Sequence, residues 1–128
     1  MATIFSKIIN GEIPCHKIAE NDQFLAFLDI SPLAIGHTLV IPKKETDYIF
    51  DIEDDAYADL WVFAKQVAKK VKAKLECTRI GVAVIGLEVA HAHIHLVPID
   101  QVSDIDFSRA KLTLSQKDLA EIATNINS

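Results

Sequence analysis

The chain has little cysteine, no cationic excess and no long apolar run, and each shortage removes a class of protein. Its two cysteines, Cys15 and Cys77, stand far apart with no Cys-x-x-Cys pairing. That argues against a disulfide scaffold or a zinc ribbon and suits a reducing compartment. Eighteen acids against 13 bases leave a formal charge of -5, and no face gathers a dense Lys/Arg stripe, which speaks against duplex nucleic acid as a ligand. No apolar run approaches the ~20 residues that cross a bilayer. Met1 to Asn10 carries a lysine where a signal peptide would hold its apolar core, so no leader is expected. Repeats, linkers and low-complexity stretches are missing too. A cytoplasmic protein without membrane contact is the expectation, its 128 residues forming one domain, residues 1–128, with an apolar half large enough for a core.

Periodicity divides the chain into an alternation of short strands and three helices. Ile4, Phe5, Ile8 and Ile9 recur at helical spacing behind Thr3, a capping residue, and Gly11 sits where that helix would stop. His16 to Ala19 and Gln23 to Asp29 read as a hairpin about the turn Glu20-Asn21-Asp22, and His37 to Ile41 as a strand ended by Pro42. Acids from Asp51 to Asp55 open a long helix whose apolar positions run from Tyr57 to Leu75, with Val62 and Phe63 off the main stripe. Those two residues imply either a second partner or a deeper core. Arg79 to Ile85 should pair antiparallel, through a tight connection, with a strand ending near Ile99. After an irregular stretch from Asp100 to Lys111, Ser115 and Asp118 start a last helix stapled by Leu114 and Leu119. The expected class is α+β, an antiparallel sheet of about five strands with a short first helix, one long helix and a C-terminal helix.

The chemistry concentrates in His91-Ala92-His93-Ile94-His95. In an extended strand these alternate, so three imidazoles share one face and Ala92, Ile94 and Leu96 the other. Slippage by one residue would bury the histidines and expose the aliphatics. Three histidines on one face are costly to bury unless something uses them. They could grip a transition metal, with Glu88 or His37 as a further ligand, or His93 could be a nucleophile toward phosphorus. Spacing alone leaves both open. His16 receives no role.

The run His91 to Val97 resembles the signature of the histidine-triad family, His-x-His-x-His followed by two apolar residues. The segments Thr3 to Pro14, Phe27 to Pro32 and Gly36 to Lys44 resemble that family in the same order, so the likeness spans roughly Thr3 to Ile99. The resemblance implies a histidine-triad fold and an enzyme that cleaves at the α-phosphate of purine nucleoside phosphoramidates or related conjugates through a nucleotidyl-histidine intermediate. It implies no metal and no cofactor. His93 would attack, His37 and His95 would contact the phosphate, and His91 would orient His93 and handle leaving-group protons. Asp29 would hold the ribose hydroxyls, while Ile4, Phe5, Ile8, Phe27, Ile30 and Leu39 would surround the base. A homodimer through the long helix and the following strand is implied as well.

Three departures limit that carry-over. Thr3 and Ser6 stand where many bacterial members have half of a zinc site, Gly86-Leu87-Glu88 replaces a common Gly-Gln-Ser, and the C-terminus is helical. Leu87 offers phosphate no donor, and an ionised Glu88 would repel it; with a raised pKa Glu88 would instead be a proton donor, or it would point elsewhere. A diadenosine polyphosphate hydrolase and a non-catalytic nucleotide-binding regulatory protein therefore remain alternatives, with a metal-dependent enzyme more distant.

Overall fold

The computed structural model describes residues 3–128. Three helices, α1 (Ile4–Ile9), α2 (Asp54–Lys72) and α3 (Gln116–Asn127), accompany five strands. The strands are β1 (Lys17–Glu20), β2 (Phe24–Leu28), β3 (Thr38–Pro42), β4 (Arg79–Ala83) and β5 (Ile94–Ile99). They form one antiparallel sheet in the order β1-β2-β3-β5-β4, the α+β architecture the sequence predicts.

Local chemistry sets the helix ends. Thr3 Oγ1 accepts the Ser6 N–H at the start of α1, and Gly11 turns the chain out of it at φ +79, a conformation that suits a residue without Cβ. Asp54 and Asp55 lie in the first turn of α2 and Lys69, Lys70 and Lys72 in its last, each sign complementing the helix dipole. Ser115 and Asp118 close a capping box on α3.

The sheet is covered on both faces. One face carries Ala26, Val40, Ile94 and Leu96 against Leu60 and Val67 of α2 and Leu119 of α3. Ile94 and Leu96, both essentially inaccessible, each stabilise the fold by roughly 1.5–3 kcal/mol through burial. Phe63 belongs to this core, its ring 5.6 Å from Phe24, whereas Val62 is 55% exposed. The deeper-core explanation therefore holds for Phe63 only. The opposite face carries Leu25, Phe27, Leu39 and Ile41 under Phe5 of α1.

Two expectations are corrected. The histidine strand begins at Ile94, so His91 and His93 precede it, in a loop spanning residues 84–93 where a tight connection was expected. Pro42 has no N–H with which to lengthen the β3–β5 ladder, and its carbonyl accepts from the imidazole of His91 instead. The chain turns away there, with the Ala92 N–H bonded to the Thr46 carbonyl at 2.7 Å. The stretch after β5 also holds a 3-10 turn, Val102–Ile105, closed by Gln101 and Asp104. Among the described residues no helix is long and apolar enough to cross a membrane.

Candidate active site

Strand register brings the site together. Phe27 pairs with Leu39 and Leu39 with His95, so all three stand on the α1 face of the sheet. Phe5 lies across them, its ring centroid 5.7 Å from Phe27, 5.7 Å from His91 and 5.0 Å from His93, each edge-on. The one-face reading of the triplet survives the loss of its strand: Ala92 joins Ile94 and Leu96 in the larger core, and the His93 and His95 rings sit 4.9 Å apart on the other side.

Hydrogen bonds determine where each imidazole proton resides. A carbonyl only accepts, so the 2.7 Å contact between His93 Nδ1 and the His91 carbonyl places the His93 hydrogen on Nδ1. In the uncharged ring the lone pair is then on Nε2, an atom with no hydrogen-bond partner among the described residues. His37 Nδ1 accepts the Leu33 N–H at 3.0 Å, so its Nε2–H donates to His95 Nδ1, also at 3.0 Å. His95 is thereby left with its hydrogen on Nε2. His91 donates from Nε2 to the Pro42 carbonyl at 2.8 Å, and its Nδ1 lies 3.1 Å from Thr3 Oγ1.

Burial keeps three of these rings neutral. It holds His37 down at about 4 and His95 at about 3, with the Lys111 charge adding to both and His93 and His37 adding to His95. His91 is lowered as well, chiefly by burial. Desolvation raises the Asp29 carboxyl, opposed by the Ser31 N–H that Oδ1 accepts at 2.8 Å.

A cleft of about 290 Å³ opens between α1, the end of β2 and the loop before β5. Ile4, Phe5 and Ile8 are among its lining residues from α1, Phe27, Asp29, Ile30 and Leu39 from β2, the turn after it and β3, and Glu88, His93 and His95 from the histidine segment. Glu88 is thus at the cleft, not pointing away from it. His37 and His91 do not line it: both are buried behind the rings that do. Asp29, His37 and His95 bring three potential ligand atoms within 4.8 Å of one another, but the His37 Nε2–H is directed at His95 Nδ1, so an ion there would have to replace that bond. Thr3 and Ser6 present hydroxyls, not thiols, beside His91.

The structure adds two residues that sequence reasoning missed. The Phe107 ring lies 4.7 Å from His95 and 6.2 Å from His37. Lys111 Nζ sits 5.9 Å above that ring and donates to the Phe107 and Arg109 carbonyls at 2.7 and 3.2 Å. The Leu112 N–H holds the segment to the Pro32 carbonyl at 2.8 Å. A lone aromatic in a polar, aperiodic run was its only signal.

An α+β fold with one antiparallel sheet and histidines at the rim of an apolar cleft defines the histidine-triad class. The chain belongs to the HIT domain family, whose model matches residues 10–102. It is 34% identical over 132 residues to a HIT-like protein of Borreliella burgdorferi, covering 97% of this chain and 95% of that one. It is 37% identical over 99 residues to the adenosine 5′-monophosphoramidase of Schizosaccharomyces pombe, covering 77% and 74%. A crystal structure of a Hit-like protein involved in cell-cycle regulation from Bartonella henselae superposes with a TM-score of 0.86 at 32% identity, over 98% of this chain and 93% of that one.

Proposed function

We propose that the protein hydrolyses the bond between the α-phosphate of a purine nucleotide and an amine or similar leaving group, by way of a covalent intermediate on His93. The observation that carries this reading is the placement of His93 at the cleft, its ring held by the Nδ1–H on the His91 carbonyl and its Nε2 without a hydrogen-bond partner among the described residues. Nε2 forms a bond to the α-phosphorus as the phosphorus–nitrogen bond breaks, and the amine departs with a proton taken from the solvent side, where Glu88 stands. Water then attacks phosphorus, His93 leaves and a solvent proton is released. His95 donates from Nε2 to a phosphate oxygen. His37, buried behind it, acts by keeping that hydrogen in place, and His91 acts through its carbonyl. No step uses a metal or cofactor.

Asp29 at the mouth of the apolar walls suits ribose hydroxyls, and Ile4, Phe5, Ile8, Phe27, Ile30 and Leu39 suit a purine. Exposed Val62 on α2 and Val82 on β4 support a homodimer through those elements. The related reading, a diadenosine polyphosphate hydrolase, draws support from Lys111, whose charge acts on His95 and Asp29.

Phosphorus NMR with adenosine 5′-phosphoramidate and a chelator tests the proposal. Adenosine monophosphate should appear with the native protein and not with His93→Ala, which should still bind the monophosphate. Equal turnover in that variant would refute the role of His93; absence of turnover in the native protein would favour a binding protein.

A further inference from the structure

We propose that Glu45, a surface carboxylate outside the cleft, is a positioning residue that acts through Ser6 and Thr3 on His91 and holds α1 against the reacting histidine. The inference rests on the function proposed above and extends it to a residue that touches neither nucleotide nor phosphorus.

Glu45 Oε1 accepts from the Ser6 hydroxyl and from the Thr3 N–H, the latter at 3.4 Å. Thr3 Oγ1 accepts the Ser6 N–H at 3.0 Å and lies 3.1 Å from both Ser6 Oγ and His91 Nδ1. His91 is neutral with its hydrogen committed to the Pro42 carbonyl, so Nδ1 must accept and the Thr3 hydroxyl must donate to it. The Ser6 hydrogen keeps Glu45 ionised. Three segments distant in sequence therefore converge: the start of α1, the loop after β3 and the loop before β5.

Two consequences follow for the cleft. First, α1 has six residues, too few to be stable without tertiary support, yet it carries the wall formed by Ile4, Phe5 and Ile8. Glu45 pins its N-terminal end. Second, the carbonyl that holds the His93 Nδ1–H belongs to His91, whose ring is fixed by Pro42 on one side and Thr3 on the other. Freeing Thr3 frees that ring, and with it the aim of His93.

The test compares Glu45→Ala and Glu45→Gln with the native protein, using adenosine 5′-phosphoramidate for turnover, the monophosphate for affinity and thermal unfolding for stability. In folded Glu45→Ala, kcat should fall about tenfold and the monophosphate should bind several-fold more weakly, the scale of one lost charged hydrogen bond. Glu45→Gln keeps an acceptor oxygen and should recover most of both. A purely structural contact would lower the melting temperature and leave both constants within twofold of native, which would overturn the proposal. Nitrogen-15 NMR of the native protein adds a readout independent of folding in the variants and of turnover. His91 should show protonated Nε2 and bare Nδ1, and the reverse tautomer would overturn the proposal. Should the native protein lack turnover, the catalytic reading fails alone, and the affinity loss and tautomer still judge Glu45.

Discussion

Acidification should unfold this protein in a window set by its buried histidines. His37 and His95 are 1% and 8% exposed and are held at about 4 and about 3, below the ordinary value of 6.5. The unfolded chain takes up protons below about pH 6.5 while the folded chain refuses them, so stability is full above that value and falls as pH drops toward the folded values. Each refused proton costs about 1.4 kcal/mol per pH unit. Two units, from about pH 6.5 to about pH 4.5, cost roughly 2–3 kcal/mol for His37 and a similar amount for His95. His91 acts in the same direction, whereas the raised Asp29 carboxyl returns stability as it protonates at the acid end. The total of about 5 kcal/mol is comparable with the whole stability of a small domain. Carboxylates with lowered values, such as Glu20 at about 2, lose their pairing only at more acid pH. Urea unfolding at stepped pH measures the slope, which should approach two protons for the native protein and lose about one in His37→Phe. A midpoint unchanged between about pH 7 and about pH 5, or the same slope in His37→Phe, would refute the neutral, buried assignment.

Other perturbations test separate parts of the site. Asp29→Ala should weaken ribonucleotides several-fold more than their 2′-deoxy analogues in calorimetric titration; equal weakening would remove Asp29 from the ribose. Lys111→Met should lower kcat/KM for diadenosine polyphosphates about tenfold at low salt, with a smaller effect on the uncharged leaving group of adenosine 5′-phosphoramidate. Equal effects on both substrates would end the case for an anionic leaving group. Gly36→Ala should destabilise by about 1–3 kcal/mol in urea unfolding, because φ is +92 and a Cβ would collide with Leu75 immediately before His37.

The fold was legible wherever a local pattern coincides with burial. Alternation in Phe24 to Leu28 and Thr38 to Pro42 places strands between two cores, and the Thr3 and Ser115 caps mark the starts of α1 and α3. The site was legible where the motif carries its own periodicity: His93 and His95 meet the cleft, and Ala92 and Ile94 face away from it. What escaped depends on contacts across long sequence distances. The arrest of the histidine strand at Ile94 follows from Pro42, 52 positions earlier. His37 acts behind His95 because β3 and β5 are neighbours and because the Leu33 N–H occupies its other nitrogen. Phe107 and Lys111 reach the site from an aperiodic tail through one backbone bond to Pro32, and no spacing rule points to it.

The stereochemical course at phosphorus tests the central claim most directly. A substrate made chiral at the α-phosphorus with sulfur and oxygen isotopes, hydrolysed in labelled water, reports whether one displacement occurs or two. Attack by His93 followed by attack by water inverts the centre twice and predicts net retention. Net inversion would mean that water attacks the nucleotide directly, and His93 would then be a general base or a phosphate ligand and not the nucleophile.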